Sequence, residues 1–306
     1  MSIVFFDTPD FAVPSLKALL DAGERIGLVV TQTDKVKGRG HRLSAPAVKR
    51  TALEAGLRVS QPALLNDDAL VEEIASLAPE FIVVVAYGKL LPTSLLKMAK
   101  YGCVNVHASL LPKYRGAAPV SWAIIRGEQT TGITTMLMDE GLDTGPTLLQ
   151  RHLDIGSEDT TESLSQKLSV MGASLLKETI AKLRNGSLSP RPQSGDASYA
   201  PSLRKEDGLI DWSTSASEIS HFIRGMNPWP GAFCRVNGER LKILRASPIQ
   251  GRGLPGVIER LDKSGLVIGT GGGLLSITEL LPQGKKPMPA SAFVRGRRLA
   301  RGMAVR

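Results

Sequence analysis

The stretch Cys103-Val-Asn-Val-His107-Ala-Ser-Leu-Leu-Pro112-Lys-Tyr-Arg-Gly116-Ala-Ala-Pro119 decides how this chain is built. Cys103, Val104 and Val106 are apolar, two of them β-branched, and follow the turn residue Gly102, which predicts a strand. Asn105 and His107 stand two apart, so the period of two sends both side chains to one face at the strand's end. A loop rich in Pro, Gly and Arg comes next, then a helix over about 118–126. An amide and an imidazole at the carboxyl end of a strand suit acyl transfer. The amide can donate to a developing oxyanion, and the ring can donate, accept or carry a proton. A single His at a strand end is more often structural, so a third group has to set this one apart. Met136-Leu-Met-Asp-Glu-Gly-Leu-Asp143-Thr-Gly145 supplies it. An apolar strand over 134–138 runs into a Gly-punctuated acidic loop, whose Asp143 can orient His107 and hold its charge.

Toward the amino terminus the pattern alternates between strand and helix. Strands are expected over 3–6, 26–31, 57–60 and 81–86, and helices over 14–22, 45–55 and 67–77. The unbroken apolar run at 81–86 is typical of a parallel strand covered on both faces. Residues 33–44 are polar, Gly-broken and basic, and read as an exposed loop. The alternation implies an α/β, Rossmann-like, doubly wound and mostly parallel sheet, with ligands beyond the carboxyl ends of its strands. Tyr87-Gly88, 105–112 and 139–145 are all expected at that edge. No Gly-x-Gly-x-x-Gly follows the first strand, which argues against a dinucleotide.

Toward the carboxyl terminus, Asp159 with Glu162 reads as a helix start. Leu164, Leu168, Met171, Leu175, Leu176 and Ile180 then keep helical spacing as a core stripe. Residues 188–200 are rich in Pro and Ser and read as a linker. Beyond them come five short strands (232–236, 241–246, 256–261, 266–269, 274–281) and a helix near 216–224, the pattern of a small OB-like β-barrel. Residues 203–306 hold 17 Lys+Arg against 8 Asp+Glu, while 1–202 hold 21 of each, so the net charge of +9 sits in the last third. One-sided basicity on such a barrel favours nucleic-acid contact. The expected domains are 1–188, a linker over 189–203, and 204–306.

With 306 residues and 42% apolar content, the chain has room for two cores. No apolar run approaches the length of a membrane span. The first strand begins so early that no targeting segment is expected. Cys103 and Cys234 give neither a disulfide framework nor a metal spacing. These features predict a reduced, cytoplasmic protein, and the expectation is a monomer without a metal.

The pattern Asn105-x-His107-x-Ser109-Leu110-Leu111-Pro112-x-x-Arg115-Gly116, with Asp143-x-Gly145 some thirty residues on, resembles the formyltransferase family that uses 10-formyltetrahydrofolate. Thr8-Pro-Asp-Phe-Ala12, Gly38-Arg-Gly40, Ala86-Tyr-Gly88, Tyr199-Ala-Pro201, the segment 205–212 and Arg224-Gly-Met-Asn-Pro-Trp-Pro-Gly231 extend the likeness over nearly the full chain. They resemble the branch of that family whose acceptor is methionyl-initiator tRNA. Asp7 stands where the family usually has Gly, which would be costly if that turn needed a positive φ.

The resemblance implies a transferase that moves the formyl group of 10-formyltetrahydrofolate onto the α-amine of methionine on the initiator tRNA. Asn105, His107 and Asp143 would be catalytic. Ala86, Tyr87, Gly88, Ser109, Leu110, Leu111 and Pro112 would line the folate slot. Lys35, Lys37, Arg39 and Arg42, with Arg295, Arg297, Arg298 and Arg301, would hold the tRNA. Rival acceptors are a sugar-nucleotide amine, a ribonucleotide amine and water, and a tRNA-binding protein with an idle transferase domain is a further alternative. None of the transferase rivals calls for both the basic loop and this second domain. His41, His152 and His221 are expected to be surface or structural residues.

Overall fold

The computed structural model describes residues 2–37, 42–262, 265–295, 297 and 299–306. The chain divides into two compact units: residues 1–119, 130–154 and 165–201 form one, and 120–129, 155–164 and 202–306 the other.

The first unit is an open sheet flanked by helices. In chain order its elements are β1 (Ser2–Asp7), α1 (Val13–Asp21), β2 (Ile26–Val30), β3 (Lys35–Lys37), β4 (Arg42–Ser44), α2 (Ala47–Glu54) and β5 (Val59–Ser60). There follow α3 (Asp68–Ser76), β6 (Pro79–Val85), α4 (Thr93–Leu96) and β7 (Cys103–His107). Next come α5 (Pro119–Ile125), most of which belongs to the second unit, then β8 (Thr130–Leu137), β9 (Thr147–Asp154) and α6 (Thr161–Arg184). The sheet order is β5-β2-β1-β6-β7-β8-β9. Pairs from β5 to β7 are parallel, and β8 and β9 are antiparallel. Every residue of β1, β6 and β7 is buried, as expected for strands covered on both faces. Arg184, in the last turn of α6, donates to the buried Glu80 on β6 at 2.9–3.3 Å and to Glu24 at 2.8–2.9 Å. The helix end is thereby tied to the sheet.

Several sequence expectations are revised here. Residues 33–44 are not simply a loop, since Lys35–Lys37 pairs antiparallel with Arg42–Ser44. β9 was not expected at all. The acidic loop 139–145 does not leave the carboxyl edge of the parallel strands. Because β8 runs against β7, with Leu137 opposite Val104, the loop leaves beside the amino end of β7. The start of α6 is set by Thr160, whose Oγ1 accepts from Ser163 N–H while its own N–H donates to Ser163 Oγ. Asp159 instead accepts from Gly156 N–H at 2.8 Å and from Ser163 Oγ at 2.7 Å, closing the turn ahead of the helix.

The second unit carries α7 (Ala216–Met226), β10 (Phe233–Val236), β11 (Glu239–Ile249), β12 (Ile258–Asp262), β13 (Gly265–Gly269), β14 (Leu274–Pro282), β15 (Met288–Pro289) and α8 (Ala290–Arg295). Its sheet is an antiparallel half-barrel in the order β10-β11-β14-β13-β12, with β15 on β14, which fits the OB-like expectation. α7 opens with a capping box: Ser215 Oγ accepts from Glu218 N–H, and the Glu218 carboxylate accepts from Ser215 N–H at 2.9 Å. Its buried face carries Ile219, Ile223 and Met226.

Candidate active site

β7 delivers Asn105 and His107 to one face, as their spacing requires. Both are buried, with 8% and 6% of their surface exposed. The acidic loop reaches them by folding back over that face from the amino end of β7. Asp143 takes φ +52°, and its carboxylate becomes the hub of the cluster. One oxygen accepts from Gly116 N–H at 2.8 Å, and the other from Asn105 Nδ2 at 3.3 Å. His107 Nδ1 lies 3.6 Å from the same oxygen that Gly116 reaches. Gly145 permits this path, because a Cβ there would stand 1.9 Å from Leu137 O.

The other ring nitrogen is committed. His107 Nε2 is 2.9 Å from the carbonyl oxygen of Tyr114, which can only accept, so Nε2 carries a proton. Nδ1 is therefore the nitrogen that can exchange a proton with a substrate or pair with Asp143 as an imidazolium. Tyr114 itself is held at φ +59°, and its N–H donates to Ser198 Oγ at 2.9 Å. Asn105 directs one Nδ2 hydrogen at Asp143. Among the described residues the second has no protein partner, so it can donate to an oxyanion. Cys103, two residues before Asn105, is no competing nucleophile: burial pushes its thiol up to about 12.

The expected folate-binding residues fall into two groups. Ser109 to Pro112 leave the carboxyl end of β7 and are pinned from β8 and β9. Thr134 Oγ1 donates to Ser109 O at 2.7 Å and accepts from Leu111 N–H at 3.1 Å, and Gln150 Nε2 donates to Leu111 O at 2.8 Å. Leu111 and Ser109 are buried and Leu110 is half-buried. Ala86 (φ +50°), Tyr87 and Gly88 (φ +77°) leave the carboxyl end of the adjacent β6. Gln32 Nε2 donates to Tyr87 O at 2.7 Å. Lys35, one of the expected tRNA contacts, donates to Gln32 Oε1 at 2.8 Å, so the basic hairpin is tied to this turn. Lys49 and Gln61 bind Asp34 at the hairpin's base, which keeps that carboxyl below its usual range, Gln61 contributing most.

The remaining basic residues are less uniform. Lys37 and Arg42 face each other in the hairpin ladder, while Arg39 and His41 lie outside the described residues, as does Arg298. Arg295 and Arg301 are exposed in the second unit. Arg297 is already engaged, with Nη2 2.8 Å from Glu239. His152 is exposed on β9. His221 is half-buried in a separate cleft of about 470 Å³ in the second unit, with Arg224, Arg245, Glu128 and Glu279 among its walls. Burial, then the neighbouring Arg224, holds that imidazole below its usual range, and none of the expected site residues lines this cleft.

Asp7 does not sit in a turn with positive φ. It ends β1 as a fully buried residue, and burial raises its carboxyl well above the usual range, the contact from Thr8 N–H opposing this. Its Oδ2 has no partner among the described residues.

Sequence pattern does not mark Thr134, Gln150 or Gln32, nor above all the role of the span 188–200. Ser198 and Ala200 pair with Arg115 through backbone hydrogen bonds of 2.8 Å, and Arg191 pairs with Thr147. No periodicity marks such contacts. The only available signal was the proximity of polar Gln193 and Ser198 to the Tyr199-Ala-Pro201 match. Among the described residues no three metal-ligating side chains come together, and no helix is long and apolar enough to cross a membrane.

Comparison with known proteins adds to this geometry. A formyl transferase domain matches residues 1–180, and a formyl transferase C-terminal domain matches 202–298. Methionyl-tRNA formyltransferase of Thermodesulfovibrio yellowstonii is 53% identical over 98% of this chain and 97% of its own. Among solved structures, HypX from Aquifex aeolicus in complex with tetrahydrofolic acid aligns with a TM-score of 0.65 at 20% identity. That match covers 97% of this chain and 47% of the longer HypX chain. Methionyl-tRNA formyltransferase from Clostridium thermocellum aligns with a TM-score of 0.56 at 20% identity, over 82% of this chain and 95% of that one. At these identities the two structures attest the fold.

Proposed function

This chain belongs to the formyl transferase family, and on that premise we propose that its site moves the formyl group of 10-formyltetrahydrofolate onto the α-amine of methionyl-initiator tRNA. The observation that carries the reading is the Asp143 carboxylate, which gathers Gly116 N–H, Asn105 and His107 Nδ1 at 2.8, 3.3 and 3.6 Å. The near-full-length likeness to methionyl-tRNA formyltransferases, second domain included, supports the choice of acceptor.

The chemistry follows from which hydrogens are free. The methionyl amine attacks the formyl carbon as the neutral base, forming a C–N bond and a tetrahedral oxyanion. Asn105 Nδ2 and protonated His107 Nδ1 donate to that oxygen as its charge develops. Asp143 lies 3.6 Å from Nδ1, opposite the charge the ring carries when protonated, and holds the amide in place. Collapse breaks the bond between the formyl carbon and N10 of the folate. The attacking nitrogen loses one proton and N10 gains one, with His107 Nδ1 and Asp143 as the groups at hand to relay it. The folate lies against 86–88 and 109–112 in this reading. Residues 1–188 supply the chemistry, and the basic residues of 35–42 and of 204–306 hold the RNA. The enzyme works as a cytoplasmic monomer.

One assay separates the acceptors: 10-formyltetrahydrofolate is offered with charged initiator tRNA, a nucleotide-sugar amine, a ribonucleotide amine or water alone, and the formylated product is identified. N-formylmethionyl-tRNA as the dominant product is expected. Formate release at the same rate without any amine would instead make the chain a hydrolase.

A further inference from the structure

One side chain in the span 188–200 is fully engaged in holding the acidic loop. Gln193 Nε2 donates to the backbone carbonyls of both Asp143 and Gly145 at 2.8 Å. Its Oε1 accepts from Arg115 Nε at 3.2 Å and Nη2 at 2.6 Å. A guanidinium only donates and carbonyls only accept, so this amide has one consistent orientation. The two carbonyls flank Thr144, and fixing both fixes the backbone on which Asp143 sits at φ +52°, a conformation a non-glycine residue holds only when its surroundings impose it. Arg115 precedes Gly116, whose N–H holds the Asp143 carboxylate. Gln193 therefore clamps together the backbone of the acidic loop and the loop that grips its side chain.

We propose that Gln193 is a positioning residue for the reaction, setting the Asp143 carboxylate against Asn105 and His107 without touching substrate. The inference rests on the reading of Asp143 given above. A hub that serves three partners within 3.6 Å tolerates little displacement, and errors approaching 1 Å at a reacting centre cost up to roughly 100-fold in rate.

The test uses the full-length enzyme and measures kcat, both KM values and the melting temperature for Gln193→Ala, Gln193→Glu, Asp143→Asn and the double variant Gln193→Ala/Asp143→Asn. Gln193→Ala is expected to lower kcat roughly 10- to 100-fold, with both KM values within about twofold. Gln193→Glu keeps the size and the acceptor for Arg115 but sets a carboxylate against two carbonyls. It should melt somewhat lower, because two hydrogen bonds become repulsions, and when assayed well below its melting temperature it should still lose kcat, which a residue needed only to partner Arg115 would not show. In the Asp143→Asn background, Gln193→Ala should cost less than about threefold more, because both changes act through one carboxylate. The inference is overturned if Gln193→Ala is silent while Asp143→Asn is severely impaired, if the two losses multiply independently, or if Gln193→Glu is fully active. Wild-type turnover by Asp143→Asn would overturn the site reading itself, and this inference with it.

Discussion

Replacing Gly116 with Ala perturbs the site where a positive φ and a close backbone neighbour coincide. Gly116 has φ +118°, outside the wells an L residue adopts, and that conformation alone costs about 1–3 kcal/mol for alanine. The added Cβ would stand 2.8 Å from Ala200 O and 3.3 Å from its carbonyl carbon. Ala200 has little room to retreat. Its carbonyl accepts from Ala118 N–H at 3.1 Å, and its own N–H donates to Arg115 O at 2.8 Å. Losing one of these adds about 1 kcal/mol, so the expected destabilisation is roughly 2–4 kcal/mol. Gly186→Ala is the control, with φ +74° and nothing within 4 Å of the new Cβ, and should cost about 1–2 kcal/mol. Urea unfolding of the two variants measures the difference. Because Gly116 N–H holds the Asp143 carboxylate at 2.8 Å, kcat should fall at least about tenfold as well, with a smaller change in folate affinity. A Gly116→Ala enzyme that unfolds with the wild type and turns over normally would refute the crowding and the role of this amide together.

Asp7→Asn should stabilise the protein near pH 7 and not near pH 4. Burial raises the folded carboxyl above its ordinary 3.8, so its contribution to stability is fully present below that value and is lost as pH rises toward the folded value. Each tenfold change in its acid constant is worth about 1.4 kcal/mol, and melting curves across pH would show a gain that grows from acid to neutral; a pH-independent gain would contradict the assignment. For the RNA, log kcat/KM should fall with log salt by roughly 0.7–0.9 per phosphate contacted, while folate affinity hardly changes. Neutralising Arg295, Arg297, Arg298 and Arg301 should flatten that slope and raise KM, with Arg297 contributing least because Glu239 already pairs it. Changing Arg39 and Arg42 should lower kcat too, and identical kinetic patterns for the two sets would refute the division of labour.

The buried parallel strands were easy to read because β1, β6 and β7 are covered on both faces and show unbroken apolar runs. β9 was not, since Thr147–Asp154 lies on the sheet's edge with only Leu148 buried, and its pattern carries Gln150, Arg151 and His152. Asn105 and His107 were legible as a same-face pair from spacing alone. Asp143 came from its motif, and the path that brings it there did not: an antiparallel β8 sends the loop to the opposite end of β7, a reversal that short-range pattern does not encode. The span 188–200 has the composition of a linker, yet Gln193 and Ser198 work through side-chain and backbone hydrogen bonds to residues far away in sequence. Such contacts leave no periodic trace. Asp7 shows the converse, an exception visible in the sequence whose consequence, a buried carboxyl at the end of β1, needed the fold.

The central claim is that Asn105, His107 and Asp143 stabilise and relay charge during formyl transfer. The most direct test is the single-turnover rate of formyl transfer from saturating 10-formyltetrahydrofolate to methionyl-initiator tRNA, with the His107→Ala enzyme in excess. The account predicts a fall of roughly 100-fold or more, with the dissociation constant for the folate changed only slightly. A rate within about threefold of the wild type would contradict it.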